Sequence, residues 1–190
     1  MPSAIQTKPS VGKRRILLVD DDVEIIESME ATFTMKGFEV LIARDGNQGL
    51  AMAEQSNPSL AILDMMMPKR SGFLVLEKLR EFELKRAGFQ WSAPSDFYVL
   101  LKLLSHIQES GSSRKQWWSL LATGSPECVA DRTAVDAAPE LMRVIMITAN
   151  EGERHRRYAK EHLAVDVYLR KPKFSMEQLL DTVETLLRDG

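Results

Sequence analysis

Leu60-Ala61-Ile62-Leu63-Asp64-Met65-Met66-Met67-Pro68 decides the fold: four apolar residues, one acid at their end, then a break. Three other runs end in the same way. Ile16-Leu17-Leu18-Val19 leads into Asp20-Asp21-Asp22, Val144-Ile145-Met146-Ile147 into Thr148, and Val167-Tyr168-Leu169-Arg170 into Lys171-Pro172. Short apolar strands without polar alternation are those that helices cover on both faces. In an open parallel sheet their carboxyl ends share one edge, where such sheets bind ligands. An acid cluster, a lone acid, a hydroxyl and a lysine gathered there suit a Mg²⁺-assisted phosphoryl site.

Helical spacing fills the intervals between these strands. Ile25, Ile26, Met29 and Phe33 share one face of a helix over about 23–35, and Gly37 is placed to end it. Residues 38–43 read as the second strand, 47–55 as the second helix, and 72 to about 86 as the third. Strands at 143–147 and 165–169, a fourth helix at about 151–162 and a fifth at 176–188 complete the pattern. Alternating strands and helices imply right-handed crossovers and an α/β three-layer sandwich around a parallel five-stranded sheet.

Composition sets the bounds. At 190 residues with 44% hydrophobic and 27% charged, the chain has the make-up of a globular protein able to bury a core. A net charge of −2 gives no general attraction to nucleic acid or an acidic membrane. Cys128 is alone, which excludes an internal disulfide framework and any multi-cysteine zinc site, and leaves a passive thiol as its simplest role. Residues 1–12 form a polar tail with two prolines and no apolar core of the kind a signal peptide needs. The most apolar window, 97–104, is broken by Lys102 and is far too short to span a bilayer.

The segment Ile16 to Asp22, the stretch from Asp64 to Phe73, the step Ile147-Thr148-Ala149 and the segment Tyr168 to Pro172 together resemble the receiver domain of two-component response regulators. The resemblance covers residues 13–87 and 141–189, about two thirds of the chain. It implies a flavodoxin-like strand order, 2-1-3-4-5, and one receiver domain over 13–190 interrupted at 87–140 by an insertion of roughly fifty residues. It also implies that Asp64 is the phosphoacceptor, with Mg²⁺ as cofactor held by Asp21, Asp64 and the Met66 carbonyl, and by Asp20 largely through water. Lys171 and Thr148 would meet the phosphate oxygens, and Pro172 would form a cis bend. Tyr168 stands where receivers carry a switching aromatic, although a half-buried strand tyrosine would look the same. Met66 and Asn150 fall at positions that tune dephosphorylation. Asp22, next to the metal-facing acids, is better placed to start the first helix by accepting from its free amides.

The resemblance further implies a cytoplasmic phosphoacceptor protein rather than an enzyme in the ordinary sense. Its partners would be a histidine kinase or phosphotransfer protein and a downstream protein target, with no direct nucleic-acid or membrane contact. Candidate homodimer surfaces are the face made by the fourth helix, fifth strand and fifth helix, or the insertion itself. A relay intermediate and a scaffold that works through the insertion regardless of phosphorylation stand beside the switching receiver. No helix-turn-helix, zinc motif or basic DNA-reading unit is expected after Gly190 or within the insertion.

Within the insertion, Pro94-Ser95-Asp96 can start a helix whose apolar stripe is Phe97, Leu100, Leu101, Leu104 and Ile107. Trp117 and Trp118 either pack onto their own domain or form an interaction surface. The insertion joins the third helix to the fourth strand, so it leaves from the edge opposite the acids. A helix of about fourteen residues is only about 20 Å long, which points to a docking or stabilising role away from the chemistry. His155 and His162 sit among arginines on a basic solvated face. His106 is one residue out of place for a phosphotransfer motif. A dehalogenase-like phosphatase would want a second acid where Met66 stands, and a dinucleotide site would want glycines where Asp20-Asp21-Asp22 stand.

Overall fold

The computed structural model describes residues 14–67, 71–86, 89–90, 93, 95, 97–98, 102, 141–149, 156–158, 163–171 and 173–188. The elements are β1 (Arg15–Val19), α1 (Val23–Met35), β2 (Glu39–Ala43), α2 (Gly46–Ser56), β3 (Leu60–Asp64), α3 (Gly72–Arg86), β4 (Arg143–Thr148), β5 (Val167–Arg170) and α4 (Met176–Arg188). The helix expected fifth in sequence is α4. Of the one expected at about 151–162, residues 156–158 are described and are helical. The five strands pair in parallel in the order β2-β1-β3-β4-β5.

Alternation along each strand builds the three layers. Ile16 and Leu18 of β1, Leu60 and Ile62 of β3, and Ile145 and Ile147 of β4 pack with Met29 and Phe33 of α1 and with Leu179, Val183 and Leu187 of α4. Leu17 and Val19, Ala61 and Leu63, and Val144 and Met146 point the other way, onto Ala53 of α2 and Val75, Leu76, Leu79 and Leu84 of α3. Each fully buried leucine or isoleucine here contributes on the order of 1.5–3 kcal/mol, which is why both faces of the strands must be apolar.

Local signals set the boundaries. Asp22 caps α1, accepting from the amides of Glu24 at 3.0 Å and Ile25 at 3.2 Å. Gly37 closes the helix at φ 87°, a conformation that glycine adopts without strain. Phe38 was expected in β2. Its amide instead bonds to Phe33 O at 3.1 Å, and its ring meets that of Phe33 edge-on, so the strand begins one residue later. β5 also starts later than expected, because Ala164 is left-handed at φ 50° and Asp166 is spent capping β4 through Arg143 and the Val144 amide.

The described residues of the segment expected as an insertion lie against α3: Phe89 and Phe97 are buried in the same core as that helix, and the Tyr98 hydroxyl donates to Glu77 Oε1 at 2.9 Å. From Arg86 back to Glu77 is about 13 Å along the helix axis. Connectivity fixes where a segment departs, not the direction in which an amphipathic stretch runs once α3 offers it an apolar flank. Trp117, Trp118, Cys128, His106, His155, His162, Asn150 and Pro172 lie outside the described residues.

Candidate functional site

At the carboxyl edge of the sheet, β1 delivers Asp20 and Asp21, β3 delivers Asp64, β4 delivers Thr148, and Lys171 follows β5. Asp20, Asp21 and Asp64 each present an oxygen within 4.8 Å of the others. Asp20 and Asp64 are buried and Asp21 is exposed. The Lys171 ammonium donates to Asp20 Oδ2 at 2.8 Å and to Asp64 Oδ2 at 3.1 Å. The other oxygen of each buried acid is held by backbone: Asp20 Oδ1 by the Asp22 amide at 3.0 Å, Asp64 Oδ1 by the Met66 amide at 3.1 Å.

The charges are mutually adjusted. Burial pushes the Asp20 carboxyl above its ordinary value, and the Lys171 hydrogen bond only partly opposes it. For Lys171 burial acts downward, but its hydrogen bond to Asp20 and the charges of Asp20 and Asp64 hold the ammonium above the ordinary lysine range. Three carboxylates against one ammonium leave about two negative charges in a partly dry pocket. Such a cluster of hard oxygen donors fits a divalent cation of the Mg²⁺ type.

Two features fix the frame around Asp64. The Met65 amide donates to Ile147 O at 2.8 Å, and the Met65 carbonyl accepts from the Gly72 amide at 3.1 Å, so the loop after β3 is held at both ends. Gly72 is obligatory in packing terms: a Cβ there would lie 2.3 Å from Asp64 O. Lys171 is positioned likewise, its amide donating to Thr148 O at 2.8 Å.

Among the described residues, the site candidates Asp20, Asp21, Asp64, Met66, Thr148, Tyr168 and Lys171 lie at or beside this edge. Asp20, Asp21, Asp64 and Lys171 converge directly. Thr148 is fully buried and bonded to the Tyr168 hydroxyl, which also donates to Met65 Sδ at 3.4 Å. Burial pushes the Tyr168 phenol up, against the Thr148 bond and the nearby charge of Arg156. Met66 meets Asp64 through its amide, while its side chain is 57% exposed. Sequence reasoning missed Arg80, a fully buried cation at the opposite edge. Its guanidinium donates to the carbonyls of Met142 at 3.0 Å, Ala164 at 2.9 Å and Leu163 at 3.3 Å, and to Glu83 at 2.7 Å. No spacing rule flags an arginine whose partners are backbone carbonyls 62 to 84 residues away.

Residues 16–88 match the family profile described as response regulator receiver domain. Among curated relatives, a probable transcriptional regulator ycf27 of Cyanophora paradoxa is 39% identical over 71 residues, covering 37% of this chain and 30% of that protein. The transcriptional regulatory protein CpxR of Klebsiella pneumoniae is 46% identical over 67 residues, covering 35% and 28%. The DNA-binding dual master transcriptional regulator RpaA of Synechocystis is 44% identical over 69 residues, covering 36% and 29%. The chain thus spans about a third of the length of the curated relatives it matches. Among solved structures, the chemotaxis protein CheY4 of Vibrio cholerae superposes with a TM-score of 0.57 at 19% identity, covering 92% of this chain and 99% of that one. A CheY-like receiver domain protein of Methanospirillum hungatei gives 0.58 at 21%, covering 94% and 100%. The sequence match stops at residue 88, but the sheet continues through β4 and β5 to bring Thr148 and Lys171 to the same edge. Residues 16–88 thus carry the profile of a response regulator receiver domain, and the described residues share the fold of CheY-like receiver structures.

Proposed function

We propose that the chain accepts a phosphoryl group on Asp64 from a phosphohistidine of a histidine kinase or phosphotransfer protein, and thereby switches a protein-binding surface. The observation that carries this reading is Lys171 held jointly by Asp20 and Asp64, with Asp21 completing the acid cluster. An Asp64 oxygen forms the new P–O bond as the P–N bond of the donor breaks and the imidazole leaves. Lys171 then turns from the lost carboxylate charge to the phosphoryl oxygens, a charge-assisted contact. Thr148, released from Tyr168, donates its hydroxyl to the same group. Asp20, Asp21, Asp64 and the Met66 carbonyl would hold Mg²⁺, whose charge would offset the repulsion between the acids and an incoming phosphoryl dianion.

The proposed partners are the phosphodonor and a protein target, in the cytoplasm. The DNA-binding role in a relative's name belongs to that protein, two thirds of which has no counterpart in the match. Incubation with acetyl phosphate, followed by intact-mass measurement, tests the reading. One phosphoryl increment is expected with Mg²⁺, and none with chelator or in Asp64→Asn. A full increment in Asp64→Asn would remove Asp64 from the role.

A further inference from the structure

Strand alternation sets Met65, Thr148 and Tyr168 on one face at neighbouring strand ends. Ala61 and Leu63 of β3 face α3, and Met65, two residues on, is buried in the same core. Val144 and Met146 of β4 face the same way, and Thr148 continues their row, one residue past the Ile147 that pairs with Asp64. Tyr168 of β5 pairs with Met146 and packs against this core. Its hydroxyl stands between the other two side chains: it donates to Met65 Sδ at 3.4 Å and is bonded to Thr148. A thioether can only accept, so the one phenol proton goes to the sulfur. The bond to Thr148 must then run the other way, with the threonine hydroxyl donating to the phenol oxygen. The chain of bonds has one direction, from Thr148 to Tyr168 to Met65. Its far end cannot drift, because the Met65 amide donates to Ile147 O at 2.8 Å and the Met65 carbonyl accepts from the Gly72 amide at 3.1 Å.

We propose that Met65 is a positioning residue: by fixing the direction of the hydrogen bond between Thr148 and Tyr168, its sulfur withholds the Thr148 proton from the Asp64 site. This rests on Asp64 being the phosphoacceptor. Thr148 has one hydroxyl proton. In the resting chain that proton is committed to Tyr168, and an acyl phosphate on Asp64 needs it for its own oxygens. While the sulfur takes the phenol proton, Tyr168 meets Thr148 only as an acceptor, and the two claims compete. Without the sulfur, the phenol turns its proton onto Thr148 Oγ1, and the threonine proton becomes available to the phosphoryl group. Met65 thus acts as a brake on the phosphorylated state, and it stands next in sequence to the residue that carries the phosphoryl group. No covalent bond changes in this exchange; hydroxyl protons change acceptors.

The test measures the affinity of the full chain, in Mg²⁺, for beryllium fluoride, a phosphoryl analogue. Met65→Leu keeps the volume and loses the acceptor. It should raise analogue affinity about threefold. Tyr168→Phe removes the acceptor of Thr148 itself and should raise it up to about tenfold, within what one net hydrogen bond supplies. The double variant should bind no more tightly than Tyr168→Phe, since the sulfur acts only through the phenol. Met29→Leu, the same exchange in the other buried layer, should change nothing. Mg²⁺ affinity without the analogue should be the same in Met65→Leu as in wild type. The tyrosine Raman doublet, which reports whether a phenol donates or accepts, should move toward the donor form in Met65→Leu, a change that a packing role does not produce. Unchanged or weakened analogue binding in Met65→Leu, a parallel change in its Mg²⁺ affinity, or an unmoved doublet overturns the brake and leaves Asp64 standing. So does an additive double variant or an equal gain in Met29→Leu. No analogue binding by wild type and no mass increment on Asp64 overturns both.

Discussion

Two cations sit at opposite edges of this sheet, Lys171 half-buried and Arg80 fully buried, and their surroundings differ in kind. Lys171, at the carboxyl edge, is held by two ionisable side chains, Asp20 and Asp64, with Asp21 close by. Arg80, at the amino edge, is held by three backbone carbonyls and by Glu83, and Glu83 Oε1 also accepts from the Met142 amide at 2.6 Å. Carbonyls are neutral and cannot leave, so the Arg80 cluster is complete. It ties α3 to the chain entering β4 and to the loop before β5, closing the root of the insertion. The acid edge keeps an excess of negative charge that a single ammonium does not balance, so it remains able to bind, exchange and react. A fully buried cation among fixed dipoles is an anchor; a half-buried cation among surplus carboxylates can exchange its partners.

Removing each cation should separate the two roles most sharply. Arg80→Ala strands three carbonyls and should cost about 3–5 kcal/mol in chemical denaturation, with Mg²⁺ making no difference. Lys171→Met should cost less and recover part of its loss in millimolar Mg²⁺, because a divalent cation can replace the missing charge on the acids. If Mg²⁺ rescues Arg80→Ala, or leaves Lys171→Met untouched, the distinction fails.

The close approach of α3 to β3 gives the next effect. In Gly72→Ala the new methyl meets Asp64 O and Met65 Cα, both backbone atoms, so the helix must shift. Overpacking of this kind costs typically about 1–3 kcal/mol. Because the Gly72 amide holds the Met65 carbonyl beside Asp64, the phosphorylation rate per folded molecule should fall as well. Normal labelling kinetics in a destabilised Gly72→Ala protein would mean that the loop after β3 has no part in positioning the acid.

Asp20 supplies a pH test. Burial raises its folded carboxyl above the unfolded value of 3.8, so the native state binds the proton more tightly. Its contribution is fully present below that pH and is lost as pH rises through the folded value. Asp20→Asn without metal should therefore gain stability on wild type as pH climbs from below 3.8 toward neutrality. Lys171 is raised as well, so its contribution stays intact up to the ordinary lysine value of 10.5 and is lost only as pH rises through the folded value. Denaturation midpoints that stay parallel from pH 3 to pH 7 in the two proteins would show that Asp20 carries no burial penalty.

Much of the acid edge was legible because strand ends in a parallel sheet are collinear. Once Ile16 to Val19, Leu60 to Leu63, Val144 to Ile147 and Val167 to Leu169 read as strands, Asp20, Asp64, Thr148 and Lys171 had to meet. The layers were legible for the same reason, since alternate residues of a doubly covered strand face opposite helices. Three things were not. Whether Phe38 extends β2 or closes α1 depends on its ring finding Phe33, a tertiary contact that outweighs strand propensity. The Arg80 cluster pairs a side chain with carbonyls, which carry no sequence signature. The return of Phe89, Phe97 and Tyr98 along α3 was hidden because connectivity gives a segment's origin and not its course.

The smallest effect discriminates between neighbouring acids. Asp21 and Asp22 are adjacent and both exposed, yet only Asp21 offers an oxygen to the cluster, while Asp22 accepts from the Glu24 and Ile25 amides as the cap of α1. Asp21→Asn should weaken Mg²⁺ binding markedly, since it removes one of the three negative charges that attract the cation. Asp22→Asn keeps a capping oxygen and should leave metal affinity almost unchanged, with stability altered by no more than about 0.5 kcal/mol. Asp22→Ala should cost about 1 kcal/mol through loss of the cap, still without a metal phenotype. Titration with Mg²⁺ and denaturation of the three variants give both readings. Equal losses of Mg²⁺ affinity in Asp21→Asn and Asp22→Asn would show that the acid edge attracts its cation through summed charge alone. The division of Asp20-Asp21-Asp22 into ligands and a helix cap would then have no chemical consequence.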